Sequence, residues 1–146
     1  MDLIYNKKVH FEYQIIEKYE AGIELFGTEV KSCRLKKLSI AEGYISLEGG
    51  EAYLKQVNIA QYEQGNRNNH DPVRKRRLLL HKREIRKLKV AVEAKGMTVV
   101  PLSVYLKNGL IKVGIALCKG KDTHDKRQTI KSRQDDIKIQ RIMKNR

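Results

Sequence analysis

Apolar and polar positions alternate over most of this 146-residue chain and then stop alternating near its end. Residues 11–19, "FEYQIIEKY", carry the β-branched and aromatic bias of a strand, and "EAG" (20–22) is expected to break it. In "IELFGTEVKSCRL" (23–35), Ile23, Leu25, Gly27 and Glu29 fall on one side and Glu24, Phe26, Thr28 and Val30 on the other. That alternation predicts a strand with a bulge or sharp bend at Gly27. Ser39 with Glu42 three residues on predicts a capping box for one short helical turn. Residues 44–59 read as a hairpin about Gly49-Gly50, and 61–75 as a polar loop. From about residue 80 the period becomes helical: Ile85, Leu88 and Val92 share one face, and Gly96 can end the helix. Residues 97–118 read as a long hairpin with Asn108-Gly109 at its tip, and Pro101 marks an edge or a bulge. The sum is about six strands, mostly in hairpins. It predicts a mainly β fold over 1–118, an OB-like antiparallel barrel with flanking short helices.

Residues 119–146 break the pattern. Ile130 and Ile137 would share a helix face, but Ile139 and Ile142 point elsewhere, too weak a stripe to dock on a core. The segment is expected to be disordered when free and ordered on a partner. Lys119-Gly120-Lys121 reads as a flexible joint between barrel and tail.

Charge changes this picture most. The net charge is +14. Residues 74–89 hold nine Lys/Arg and one Glu, net +8, and residues 119–146 hold ten Lys/Arg and four Asp, net +6. The remainder holds 12 basic and 12 acidic residues, so all of the excess sits in two segments. Such concentration is relieved by a polyanion, with nucleic acid the first candidate and an acidic membrane surface the second. Arg74, Lys75, Arg76, Arg77, Lys82, Arg83, Arg86 and Lys87 bracket Leu78-Leu79-Leu80. The leucines are expected to anchor the segment in the core while the basic side chains face outward to phosphates. The basic segments contain no aromatic residue, which argues against a general single-strand binder and for recognition of a folded RNA.

Other chemistries find little footing. His10, His70, His81 and His124 are scattered, without HExxH or a Cys pair at ligand spacing, so no metal or cofactor site is expected. There is no GxSxG, P-loop or GxGxxG, and Glu17/Glu20 read as solvated, so an enzyme is not expected. Cys33 and Cys118 read as two reduced thiols. No run approaches the roughly 18 apolar residues of a membrane span. The first residues lack a signal-peptide pattern, and a cytosolic monomer is expected.

The motifs "NKK…FEY" (6–13), "YEAGIELFGTEVKSCR" (19–34), "GEAYL…NI" (50–59), "HDPVRKRRLLLHKREI" (70–85), "PLSVYLKNGLIKVGIAL" (101–117), "KGKDTHDKRQTIK" (119–131) and "RIMK" (141–144) together resemble the SsrA-binding family, small protein B, of bacterial trans-translation. The resemblance runs end to end. It implies an OB-like barrel that binds the tRNA-like domain of tmRNA and enters stalled ribosomes. There the tail becomes helical, contacting small-subunit ribosomal RNA at the decoding centre and the empty message channel. Glu20 matches the family's acidic position in "(F/Y)EAG", and Leu79 and His81 match its "LLL(H/N)" segment on the tmRNA-binding surface. Lys31, Arg34, Arg74, Arg76, Arg77 and Lys82 are assigned to the same surface. Lys119, Lys121, His124, Asp125, Lys126 and Arg127 match the tail signature linked to the decoding centre, and Lys131, Arg133 and Arg141 continue its basic face. A structural ribosomal protein with a tail threaded through ribosomal RNA is the alternative.

Overall fold

The computed structural model describes residues 2–120. In chain order it has β1 (Asp2–Tyr5), α1 (Val9–Glu12), β2 (Tyr13–Ile23), α2 (Gly27–Arg34), β3 (Leu38–Ser39), β4 (Tyr44–Glu48), β5 (Glu51–Lys55), β6 (Asn58–Ile59), a 3-10 segment (Glu63–Asn68), β7 (Arg76–Leu79), α3 (Lys82–Lys95), β8 (Thr98–Lys107) and β9 (Leu110–Gly120). Seven strands form one antiparallel sheet in the order β1-β8-β9-β2-β7-β5-β4, while β3 and β6 form a two-residue ladder. The sheet curls until β4 lies beside β8 without a ladder between them. The result is barrel-like and open along that seam.

Both expected hairpins form, and their tips explain why. Gly49 and Gly50 have φ of 56° and 78°, and Asn108 and Gly109 have φ of 52° and 77°. Positive φ at both central residues gives a turn whose twist matches that of the flanking strands. The β8–β9 register shifts between Pro101 and Ser103, the bulge the proline predicted. α3 ends as expected at Gly96, in the left-handed conformation. Its Ile85, Leu88 and Ala91 are buried, and it packs on β8 and β5 over a core that includes Leu54, Leu78, Val99, Val113 and Ile115.

Five expectations are corrected. Residues 9–12 form the turn α1, and the strand starts at Tyr13. It then runs through Glu20-Ala21-Gly22, which pair with Gly114, Val113 and Lys112 of β9 while Gly22 also pairs with Leu79 of β7. Ladders on both sides outweigh the weak strand preference of these residues. Residues 27–34 are a helix, because Glu29, Ser32 and Cys33 lie at helical spacing and form its buried face. Around Ser39, the Leu38–Ser39 ladder with Asn58–Ile59 leads into a turn closed by Gly43 N–H on the Ile40 carbonyl (2.9 Å), not a helical turn. A Cβ on Gly43 would stand 2.7 Å from Val57 Cγ2, so only glycine fits there. At the other end, β9 continues through Lys119 and Gly120, which pair with Gln14 and Tyr13. Lys119 is therefore a sheet residue. The expected tail contacts Lys121, His124, Asp125, Lys126, Arg127, Lys131, Arg133 and Arg141 lie outside the described residues.

Candidate nucleic-acid interface

The two-residue period of β7 divides the basic segment. Arg76 and Leu78 point inward and are fully buried, whereas Arg77 and Leu79 point outward. The expectation that the basic side chains face out and all three leucines face in fails on this alternation. Leu79 is 46% exposed.

Arg76 is part of a buried ion-pair cluster around Glu29. Its Nε donates to Glu29 Oε2 (2.7 Å), and its other groups donate to the carbonyls of Val57 (2.9 Å), Pro72 (3.0 Å) and Asp71 (3.4 Å). Arg74 donates twice to the same carboxylate, at 2.7 and 3.2 Å. The Phe26 backbone N–H donates to Glu29 Oε1 (2.7 Å) and caps α2. Burial alone would push the Glu29 carboxyl up, but the hydrogen bonds from Arg74, Phe26 and Arg76 outweigh it and hold the group below its ordinary value near 4.5. Nearby, His70 is buried between Thr28 and the Ile59 carbonyl, 2.8 Å from each. The carbonyl can only accept, so Nε2 donates to it.

The outward cations of this half are matched as well. Arg77 donates to Glu51 (3.1 and 3.4 Å) and to Glu24 (3.1 Å). Lys75 reaches Glu48 (3.1 Å), which Lys55 also contacts (2.5 Å). With hydrogen bonds from Lys55, Ser46 and Lys75, the Glu48 carboxyl falls to about 2. The acids that balance residues 74–77 thus come from α2, β4, β5 and, through Glu24, the link between β2 and α2. In α3, Lys87 pairs with Glu17 (3.1 Å). Lys82, Arg83, Arg86 and Lys89 are exposed, and none has an ion pair within 4 Å among the described residues. Lys82, Arg83 and Arg86 lie on the side of the helix away from Ile85, Leu88 and Ala91, and Lys89 lies on the flank of that buried stripe.

Next to this helix end is a shallow cleft of about 320 Å³, where Leu79 meets Ile23, Leu25, Val30 and Leu110. Its floor is the Gly22 backbone, where an added Cβ would stand 3.3 Å from Leu79 Cβ. Arg34 spans from α2 to the hairpin tip, donating to the Gly109 carbonyl at 3.5 Å. Glu20, on β2 two residues before Gly22, accepts from the Tyr105 hydroxyl (2.5 Å) and from Lys107 (3.3 and 3.4 Å). Hydrogen bonds from Tyr105 and then Lys107 lower its pKa, so it is a carboxylate at neutral pH. His81 is exposed at the N-cap of α3, its backbone N–H donating to Glu84 Oε1 (3.0 Å). β2, β7, α2 and the β8–β9 tip thus each contribute to one neighbourhood that holds Leu79 and Arg34, with Glu20 beside it.

The sequence placed no aromatic ring in the basic segments, but the fold brings rings to two cations of the first segment and to Lys31 of α2. The Arg74 guanidinium lies 4.1 Å from the Phe26 ring centroid, Lys75 Nζ lies 4.3 Å from that of Tyr53, and Lys31 Nζ lies 5.2 Å from that of Tyr62. No local signal could have announced these pairs, because each ring is remote in sequence from its cation.

The SmpB protein family model matches residues 3–145. The chain belongs to the SmpB family. The SsrA-binding protein of Thermosynechococcus vestitus is 51% identical over 142 residues, covering 97% of this chain and 93% of that protein. The SsrA-binding protein of Ligilactobacillus salivarius is 48% identical over 143 residues, covering 98% and 92%. A solved structure described as "tmRNA-SmpB: a journey to the center of the bacterial ribosome" superposes with a TM-score of 0.68 at 47% identity, over 82% of this chain and 85% of that one. The family spans both the described residues and the basic segment after them. Among the described residues, no group of three His, Cys, Asp or Glu is placed to hold a metal ion. No helix there is long and apolar enough to cross a membrane.

Proposed function

We propose that this chain binds the tRNA-like domain of tmRNA and carries it to stalled ribosomes as an RNA-binding adaptor of trans-translation. The observation that carries the reading is membership of the SmpB family along nearly the whole chain. The physical chemistry agrees with it. Lys82, Arg83 and Arg86 present unmatched positive charge for phosphates. The Leu79 cleft with His81, Glu20, Lys31 and Arg34 offers shape and polar groups for a folded RNA, whose 2′-hydroxyls can donate to a carboxylate such as Glu20. In this division Arg74, Arg76 and Arg77 hold the surface in place, and Arg76 never meets the RNA. The segment from Lys121 on, including His124 and Arg127, is assigned to the decoding centre and the empty message channel. No observation favours a structural ribosomal protein.

Recovering the chain from cells and sequencing its bound RNA tests the reading. One structured RNA, tmRNA, should dominate, and a broad sample of ribosomal RNA at unit stoichiometry with ribosomes would overturn it. Truncation after Gly120 should leave tmRNA affinity nearly intact and abolish tagging of stalled chains. Loss of tmRNA affinity in that truncation would refute the division between barrel and tail.

A further inference from the structure

Phe26 is a large apolar ring outside the core. It is 55% exposed, it precedes the first residue of α2, and the N-cap hydrogen bond there is made by its backbone, not its ring. A ring left in water at a rigid position is held by whatever lies against it, and here that is Arg74. The guanidinium is 4.1 Å from the ring centroid. The Arg74 side chain makes hydrogen bonds through four of its five N–H groups: two to Glu29, one to the Glu24 carbonyl (3.2 Å) and one to the Lys75 carbonyl (3.4 Å). Glu29 also fixes the Phe26 backbone. One buried carboxylate therefore sets both the ring and the cation stacked on it. Arg74 is left with little donor capacity for a phosphate, so the pair is not built as an electrostatic clamp. It is a preorganised flat surface beside the cleft that Leu25, the preceding residue, helps to line.

We propose that Phe26, positioned by Arg74, is a stacking site for an unpaired nucleobase of the bound RNA. This rests on the reading of the chain as a tmRNA-binding protein and adds a binding residue to that surface. An unpaired base is the ligand, because bases within a helix have both faces covered, whereas loop bases can be splayed onto an aromatic ring. Stacking is sequence-tolerant, so the site contributes affinity without reading base identity.

The test compares Phe26→Ala, Phe26→Leu and Phe26→Trp in the full chain, titrated with tmRNA at several salt concentrations. Phe26→Ala should bind roughly 5- to 150-fold more weakly, the range expected when one base stack is removed. The slope of log K against log salt should stay unchanged, because the cations that meet phosphates are all still in place. Phe26→Leu should be as weak as Phe26→Ala, and Phe26→Trp should bind at least as well as the parent. Parental affinity in Phe26→Ala, or in Phe26→Leu, overturns the stacking site. So does weaker binding accompanied by a shallower salt slope. Failure of the parent chain itself to bind tmRNA is a different result, and it overturns the functional reading beneath the proposal.

Discussion

Residues 74–77 and 82–89 look alike in sequence and do opposite things. In the first stretch all four cations are engaged with acids from other elements and from the link before α2, and one of them, Arg76, is sealed in the core. In the second, only Lys87 is paired among the described residues, and its neighbours stand on the exposed face of α3. The difference is one of periodicity and supply. A strand in a curled sheet turns every second residue inward and brings the others beside neighbouring strands, which carry Glu48 and Glu51 and, just past the end of β2, Glu24. A helix packed by one stripe leaves most of its circumference to solvent. A run of basic residues therefore states how much charge is present, and the element it folds into decides whether that charge is neutralised inside the protein or offered to a partner.

The sharpest way to break this contrast is at Glu29. Glu29→Ala should destabilise the fold by about 3–5 kcal/mol, because it leaves Arg76 charged and unpaired in the interior. Denaturant unfolding reads the effect, and a change below about 1 kcal/mol would mean the cluster is not structural. For the same reason Arg76→Ala is a folding variant and a poor probe of RNA binding. Acid should act on the same cluster more gradually. The folded-state pKa of Glu29 lies below the unfolded value near 4.5, so its contribution is present above that value and is lost as pH falls through the folded pKa. Thermal unfolding followed from pH 6 downward should show stability declining once pH drops below about 4.5. Arg77→Ala should cost far less, a small shift in the same unfolding curve, since its pairs with Glu51 and Glu24 are partly solvated. The smallest effect is chemical. Burial pushes the Cys33 thiol up to about 11 and the Cys118 thiol up to about 12. Native protein at pH 7.5 should resist alkylation at both, with full labelling only after unfolding.

Much of the fold was legible because some signals are local. Asn108-Gly109 and Gly49-Gly50 specify their turns through residues that accept positive φ, and Gly96 ends α3 in the same way. What was illegible depended on remote partners. α2 buries Glu29 and Ser32 along with Cys33, so its inward face carries no apolar stripe and its sequence imitates a strand. Glu20-Ala21-Gly22 stays extended because β9 and β7 hold it there. At the candidate site, family resemblance alone points to Leu79 and His81, and the fold shows what an outward leucine at 79 does: it packs over the bare backbone of Gly22. The burial of Arg76 and the ring under Arg74 had no local signature, since each depends on Glu29, 47 residues from Arg76.

The central claim is that α3, and not β7, holds the phosphates. It is tested most directly by the salt dependence of tmRNA binding for Lys82→Ala/Arg83→Ala/Arg86→Ala beside Arg77→Ala. The account predicts a triple variant of parental stability whose slope of log K against log salt is shallower by about 0.9 for each phosphate no longer neutralised, and an Arg77→Ala slope that does not change. An unchanged slope in the triple variant, with a shallower one in Arg77→Ala, would contradict it.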